Sequence, residues 1–222
     1  MPRTAAWPVT LRHGPVTLRP MRVRDEDVWS EIRRRGFAWF SPWDSTRPPD
    51  SAEQPMSFAQ TVRTFAARAR RGMMLPWAVE YRPEPSAKPV FAGQVTVSGI
   101  AYGSACWGQF GYWIDPQWAG RGIIPLAVAM AADHCFDTLG LHRLEAAILP
   151  ENQKSRAVVT KLGFRDEGLR PRYMYIRGAW RDHEMFVLLA EDMPEGVVAR
   201  YENRGRSADT PGEVGPSGRH FS

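Results

Sequence analysis

The sequence predicts a single α+β domain with a mixed central sheet flanked by helices, and three observations carry that prediction. Runs rich in β-branched and aromatic residues recur at Trp77–Tyr81, Val90–Ile100 and Trp107–Ile114 with loop or turn residues between them, a three-stranded meander. The order then changes to helix, strand, helix, strand, which makes the sheet mixed. Finally, 222 residues with 43% hydrophobic and 24% charged side chains suit one domain with a sizeable core.

Each element has its own signal. Val9–Arg12 and Val16–Arg19 are alternating runs around His13-Gly14-Pro15, read as a hairpin or as a strand with a lead-in over residues 1–14. Asp25 is placed to N-cap a helix with Val28, Trp29 and Ile32 on its apolar face. Phe37–Pro49, dense in aromatics and prolines, predicts an irregular loop carrying Trp39, Phe40 and Trp43. Met56–Arg71 predicts a second helix, with Phe58, Val62, Phe65 and Ala69 at helical spacing. Ile123–Leu139 is the clearest helix, stopped at Gly140. His142–Leu149 predicts a strand, and Asn152–Leu162 a helix that Gly163 ends. Phe164–Gly168, Tyr173–Arg177 and Glu184–Leu189 are expected as closing strands. From Asn203 the residues are mostly Gly, Pro, Ser and charge, so 193–222 is expected as a largely disordered tail after a domain over 15–192.

Composition narrows the function classes. The longest apolar run, Ile123 to Ala132, is about half of what a bilayer span needs. MPRTAAWPVT has no signal-peptide core, so a cytoplasmic protein without a membrane partner is expected. Cys106 and Cys135 show neither CxxC nor Cys/His spacing, which predicts buried free thiols, no disulfide and no metal site. The net charge of +5 and pI near 9.5 are modestly basic. The arginine clusters at Arg33–Arg35 and Arg68–Arg71 read as solvated helix faces, or as surfaces that attract a polyanion such as a nucleotide cofactor or ribosomal RNA.

The most informative segment runs Gly111-Tyr112-Trp113-Ile114-Asp115-Pro116-Gln117-Trp118-Ala119-Gly120-Arg121-Gly122-Ile123, from a strand through a turn into the long helix. Glycines there let backbone approach a ligand closely, and a helix N-terminus offers unpaired N–H groups and partial positive charge to phosphate. Arg121 adds a full charge. A tight turn with no ligand shares this pattern. A P-loop is excluded because no Gly-Lys-Ser/Thr follows, and a dinucleotide fingerprint lacks its third glycine.

Gln117-x-x-Gly120-x-Gly122 between a strand and a helix resembles the acetyl-CoA motif of the GNAT superfamily. Arg143-Leu144-Glu145-Ala146-Ala147-Ile148-Leu149-Pro150-Glu151-Asn152, then Ser155 and Lys161-Leu162-Gly163-Phe164, resembles the branch that acetylates ribosomal-protein N-termini, the RimJ/RimL-like enzymes. Arg181-Asp182-His183 also resembles that branch. The likeness covers roughly residues 15 to 190 and departs at Ile124 and Pro125, where the proline removes one N–H donor from the first helical turn.

The resemblance implies a GNAT fold whose mostly antiparallel sheet splays at the cofactor, with acetyl-CoA bound by Trp113, Ile114, Gln117, Trp118, Ala119, Gly120, Arg121, Gly122, Ile123, Asn152 and Ser155. It implies direct attack of a neutral amine on the thioester, assisted by a base and an optional acid, with backbone N–H near Trp113 and Ile114 facing the developing oxyanion. Glu145 is the candidate base, or else a strand glutamate paired with Arg143. Asn152 bonds the pantetheine arm, caps the following helix, or does both. Ser155 is the candidate acid, since Val159 stands where some relatives place a tyrosine. Trp43 and Tyr173 are candidates for the acceptor cleft, with core packing as the alternative.

The resemblance implies an N-acetyltransferase acting on a protein N-terminus, plausibly ribosomal, as a monomer or homodimer, with ribosome contact through the basic patches. A polyamine or aminoglycoside acetyltransferase is the alternative; it would need several carboxylates, which the arginine-rich N-terminal half does not advertise. A noncatalytic RNA- or ribosome-binding domain is a further alternative, although no RNP-type motif is visible.

Overall fold

The computed structural model describes residues 7–52 and 54–209. Eight strands form one sheet: β1 (Leu11–His13), β2 (Val16–Pro20), β3 (Leu75–Tyr81), β4 (Val90–Ala101), β5 (Trp107–Ile114), β6 (Arg143–Ile148), β7 (Arg165–Ile176) and β8 (Ala179–Leu189). Their spatial order is β1-β2-β3-β4-β5-β6-β8-β7, and every neighbouring pair is antiparallel except β5 and β6. The helices are α1 (Glu26–Arg35), α2 (Phe37–Phe40), α3 (Phe58–Arg70), α4 (Ile123–Asp133), α5 (Gln153–Leu162) and α6 (Val197–Asp209). This is the mixed, mostly antiparallel α+β architecture expected.

Strand alternation assigns the two faces. Trp77, Val79, Val95 and Val97 point into the main core with α4, α5 and the start of α6. Ala78 and Phe91 point the other way, onto Ile32 of α1, Phe40 of α2 and Val62 of α3. Because sheet, α5 and α6 surround α4, it is buried on nearly every side from Ile123 to Ala132, which accounts for the unbroken apolar run in the sequence. Among the described residues no helix is long and apolar enough to cross a membrane.

Four expectations need correction. The segment after residue 193 is not all tail: Val197 is fully buried, Asp133 accepts hydrogen bonds from the Val197 and Val198 amides at 2.6 and 3.1 Å, and the chain continues as α6. Residues 210–222 lie outside the described ones. Phe164–Gly168 and Tyr173–Arg177 are parts of one strand, β7, interrupted by register shifts after Asp166 and Arg170. As the sheet's outer strand, β7 exposes most of its residues, so it lacks a one-sided alternation to read. The aromatic loop contains a helical turn, α2, started at Gly36; a Cβ there would stand 2.5 Å from the Phe40 ring. Asp25 sits at the start of α1, yet its carboxylate is taken by the buried Arg19 guanidinium at 2.8 Å through both oxygens and by the Arg22 amide at 2.8 Å.

Candidate active site

The central feature is a split between the two parallel strands. β5 and β6 pair only from Trp107 to Phe110 and from Arg143 to Ala146. Beyond that point β5 continues to Ile114 and β6 to Ile148 without bonding each other, so the β6-facing edge of β5 from Gly111 onward has no strand partner among the described residues. Backbone donors and acceptors along such an edge seek a ligand or water.

Three contiguous cavities follow the split. A small one of about 150 Å³ lies at its base, lined by Phe110, Gly111, Tyr112, Ala147, Asn152, Ser155 and His183 among others. A larger one of about 370 Å³ extends from it under Trp39, Phe40 and Trp43, sharing Trp43, Tyr112, Asn152 and Ser155. A third, about 440 Å³, follows the start of α4 past Trp118, Ala119, Gly120 and Gly122, with Lys154 and Lys161 on its wall. Trp39, Ile114, Ile124, Lys154 and Val158 border both of the larger two. The three form a channel that narrows from a helix terminus to the crotch of the split.

The outer end suits a pyrophosphate. Gly122 precedes α4 with φ +74°, and Gly120 at φ +78° has open space where a Cβ would be. The Ile123 and Ile124 amides lie in the first helical turn, where no earlier carbonyl of the helix can reach them, while Pro125 offers none. Asp115 tensions this loop. Its carboxylate, 2% exposed, is ion-paired with Arg35 of α1 and accepts from the Gln117 amide at 3.1 Å. Gln117 and Arg121 themselves stand exposed at the rim, Arg121 over the Trp118 ring at 5.1 Å. Lys154 spans the channel with its ammonium 3.5 Å from the centre of the Trp39 ring.

The inner end holds the candidate reacting groups. Asn152 caps α5 by accepting from the Ser155 amide at 3.1 Å while also lining two of the cavities, so both expected roles are geometrically available. The Tyr112 hydroxyl donates to the Ser155 carbonyl at 3.2 Å from across the split, and desolvation pushes its pKa well above the usual phenol range. Ser155 is thereby held from both sides. Trp113 faces the α2 layer, donating from its indole to Gln94 at 3.3 Å and meeting Phe40 edge-on at 5.3 Å.

Glu145 lies elsewhere. It is buried on β6 opposite Gln109, one residue before the strands part, and borders none of the three cavities. Arg143 donates to its carboxylate at 2.7 Å and clamps Glu167 on β7 at 2.5 and 3.1 Å. Tyr173 also stays off the cavity walls; it donates to Gln109 at 3.3 Å and meets His183 edge-on at 5.8 Å. Trp43 does line the inner cavities. Sequence alone gives no site role to Tyr112, Lys154, the Arg35–Asp115 pair or His183, marking Arg35 only within the Arg33–Arg35 cluster and His183 only within the Arg181-Asp182-His183 likeness. Lys154 follows the Asn152 cap by two residues, a cue to its place at the helix entrance; the other three depend on contacts between distant segments.

Comparison with known proteins gives one consistent answer. Residues 16–165 match the family described as the acetyltransferase (GNAT) domain. The probable N-acetyltransferase YjcK of Bacillus subtilis is 36% identical over 100 residues, 45% of this chain and 55% of that protein. The [ribosomal protein uS5]-alanine N-acetyltransferase of Escherichia coli is 27% identical over 178 residues, covering 78% of this chain and 88% of the enzyme. Among solved structures, Mycobacterium smegmatis RimJ in complex with CoA-disulfide superposes with a TM-score of 0.79 at 36% identity, covering 90% of this chain and 96% of that one.

Proposed function

The chain belongs to the GNAT acetyltransferase family, and we propose that it acetylates the N-terminal α-amine of a protein, with a ribosomal protein as the first candidate. Acetyl transfer from acetyl-CoA is the family's chemistry, and the thioester is what the cofactor supplies. The residues divide the work along the channel. The α4 amides, Gly120 and Gly122 hold the pyrophosphate, Lys154 and Lys161 add positive charge beside it, and the free edge of β5 from Gly111 to Ile114 takes the pantetheine arm. Ser155, on the wall of the inner cavities, would give a proton to the departing sulfur.

The observation that carries the acceptor assignment is an arch over the inner cavity. The segment after α2 crosses to the outer strand, where the Thr46 amide donates to the Tyr175 carbonyl at 2.8 Å and Ser45 bridges Ile176. An arched entrance admits a chain end, which is one backbone wide, more readily than an internal lysine flanked by two chain arms. The chemistry agrees, because an α-amine with a pKa of about 8 is partly neutral at physiological pH, whereas lysine at about 10.4 is not.

Charge opposes a polyamine acceptor. Asp44, which lines the larger inner cavity, already faces Arg33, and the carboxylates of the neighbouring strands are paired as well: Glu145 and Glu167 with Arg143, Glu184 with Arg156. The E. coli spermidine N(1)-acetyltransferase is 32% identical over 74 residues, covering 33% of this chain and 40% of that enzyme, so the test includes spermidine. Thiol release from acetyl-CoA is measured with peptides bearing free N-terminal Ala, Ser or Thr, N-blocked lysine peptides, spermidine and aminoglycosides. Turnover with free peptide N-termini, mapped to the α-amine by mass spectrometry, is expected. Turnover confined to small amines or to lysine would sink the proposal.

A further inference from the structure

We propose that His183 is the general base of the transfer, taking the proton of the attacking amine on its Nε2. The proposal rests on the amine-acetylation reading above but not on which amine is used. His183 sits on β8, is 2% exposed, and lines the small cavity at the base of the split with Ser155, Tyr112 and the ends of β5 and β6. It is thus a buried titratable side chain that reaches the inner cavity, and Glu145 does not border it.

Its hydrogen bonding selects the tautomer. Nδ1 stands 3.0 Å from the Arg181 carbonyl oxygen, which can only accept, so Nδ1 carries the hydrogen and Nε2 keeps its lone pair. Nε2 has no hydrogen-bond partner among the described residues. The Tyr173 ring packs edge-on against the imidazole at 5.8 Å and is itself fixed by its bond to Gln109, which orients the base. Burial pushes the His183 pKa below its ordinary value, against smaller opposing effects of the Arg181 carbonyl, Asp182 and Glu151; the neighbouring cations are Arg181, 4.0 Å from Glu151, and Arg170, the register partner of His183 on β7, which stands over the Tyr173 ring at 4.7 Å. The ring is therefore neutral and ready to accept at physiological pH.

The step balances without another reactant. The amine nitrogen forms a bond to the acetyl carbon, the carbon–sulfur bond breaks with its electron pair on sulfur, and the nitrogen's proton passes to Nε2. Ser155 protonates the sulfur and is reprotonated from solvent, to which His183 returns its proton.

The test is the pH dependence of kcat/KM for whichever amine the enzyme accepts. Below the amine pKa, log kcat/KM rises with unit slope because only neutral amine reacts; a base that must also be neutral steepens the slope to two below its own pKa. The wild type is expected to steepen at a pH below the ordinary histidine value of about 6.5, and His183→Gln to keep unit slope. The substitution is expected to lower kcat about 10²–10³-fold, within the usual range for a positioned base, with acetyl-CoA affinity within twofold. Added imidazole partly restores His183→Ala. Retention of the steep limb in His183→Gln, or its loss in Glu145→Gln instead, overturns the proposal. Nitrogen-15 chemical shifts of the wild-type imidazole give a check independent of either variant, since an Nε2–H tautomer at pH 7.5 also overturns it. Transfer to spermidine alone would refute the peptide acceptor while leaving the same slope test valid; no transfer to any amine would remove both.

Discussion

Arg35→Ala probes the strut behind the loop proposed to hold the cofactor. Asp115 has a 2% exposed side chain, and Arg35, 37% exposed, is its cationic partner. Removing one member of a fully buried ion pair costs about 3–5 kcal/mol because the other charge stays desolvated. Arg35 is more than one-third exposed, so water can enter its place, and the Gln117 amide still donates to Asp115; half that range, about 1.5–2.5 kcal/mol, is appropriate. For a domain of this size each kcal/mol moves Tm by about 2–4 °C, giving an expected drop of about 3–10 °C by calorimetry. The loop loses its tie to α1, so acetyl-CoA affinity should fall about fivefold, equivalent to about 1 kcal/mol of loop ordering, measured by titration calorimetry. Adding Asp115→Asn removes the stranded charge while keeping an acceptor for Gln117, and should recover at least half of the lost Tm. An Arg35→Ala melting curve within 1 °C of the wild type, or no recovery in the double variant, would refute the reasoning.

Other perturbations test other parts of the channel. Lys154→Ala removes the cation over Trp39 and should weaken acetyl-CoA binding by about 0.5–2 kcal/mol, with a smaller deficit at high salt; a salt-independent deficit would contradict an electrostatic role. Tyr112→Phe leaves the Ser155 carbonyl without its hydroxyl partner, so urea denaturation should show a loss of about 1–1.5 kcal/mol and initial rates should show a lower kcat. Burial lowers the pKa of both His134 and His183 in the fold, so below about pH 6.5 the unfolded chain binds protons that the native state refuses. Stability is therefore expected to fall as pH drops from 7 toward 5, and His134→Leu should flatten urea midpoints measured across that window.

The elements proposed to carry the cofactor are legible because their signals are local. Gly120 and Gly122 announce a turn with positive φ, Asn152 announces a helix start, and the run from Ile123 to Ala132 announces a buried helix. Each signal depends on neighbours within one turn of the chain. β7 reads as two strands because an edge strand wet on both faces carries no alternation, and α6 is hidden because its few apolar contacts, Val197, Val198 and Tyr201, sit in a polar segment and its two amides reach Asp133 from 64 and 65 residues away. Within the site the same division holds. A single helix start marks Asn152 and Ser155, whereas His183 meets them in the small cavity only after β8 has been inserted beside β6. Glu145 looks available in sequence, but Arg143, two residues earlier on the same strand face, occupies it.

The position of β8 also governs when this enzyme can exist during synthesis. β6 is made before β7 and β8, but its outer edge is covered by β8, the later of the two. Until residue 189 has left the ribosomal tunnel, β6 has a four-residue parallel pairing to β5 as its one strand pairing among the described residues, too little to keep the two strands in a fixed fork. A nascent chain that already carries every residue of the glycine loop therefore has no stable crotch between β5 and β6 and no His183 beside it. Cofactor capture belongs to the nearly complete polypeptide, so a chain stopped short of β8 should emerge inert and with an open strand edge, prone to pair with its neighbours on the same message.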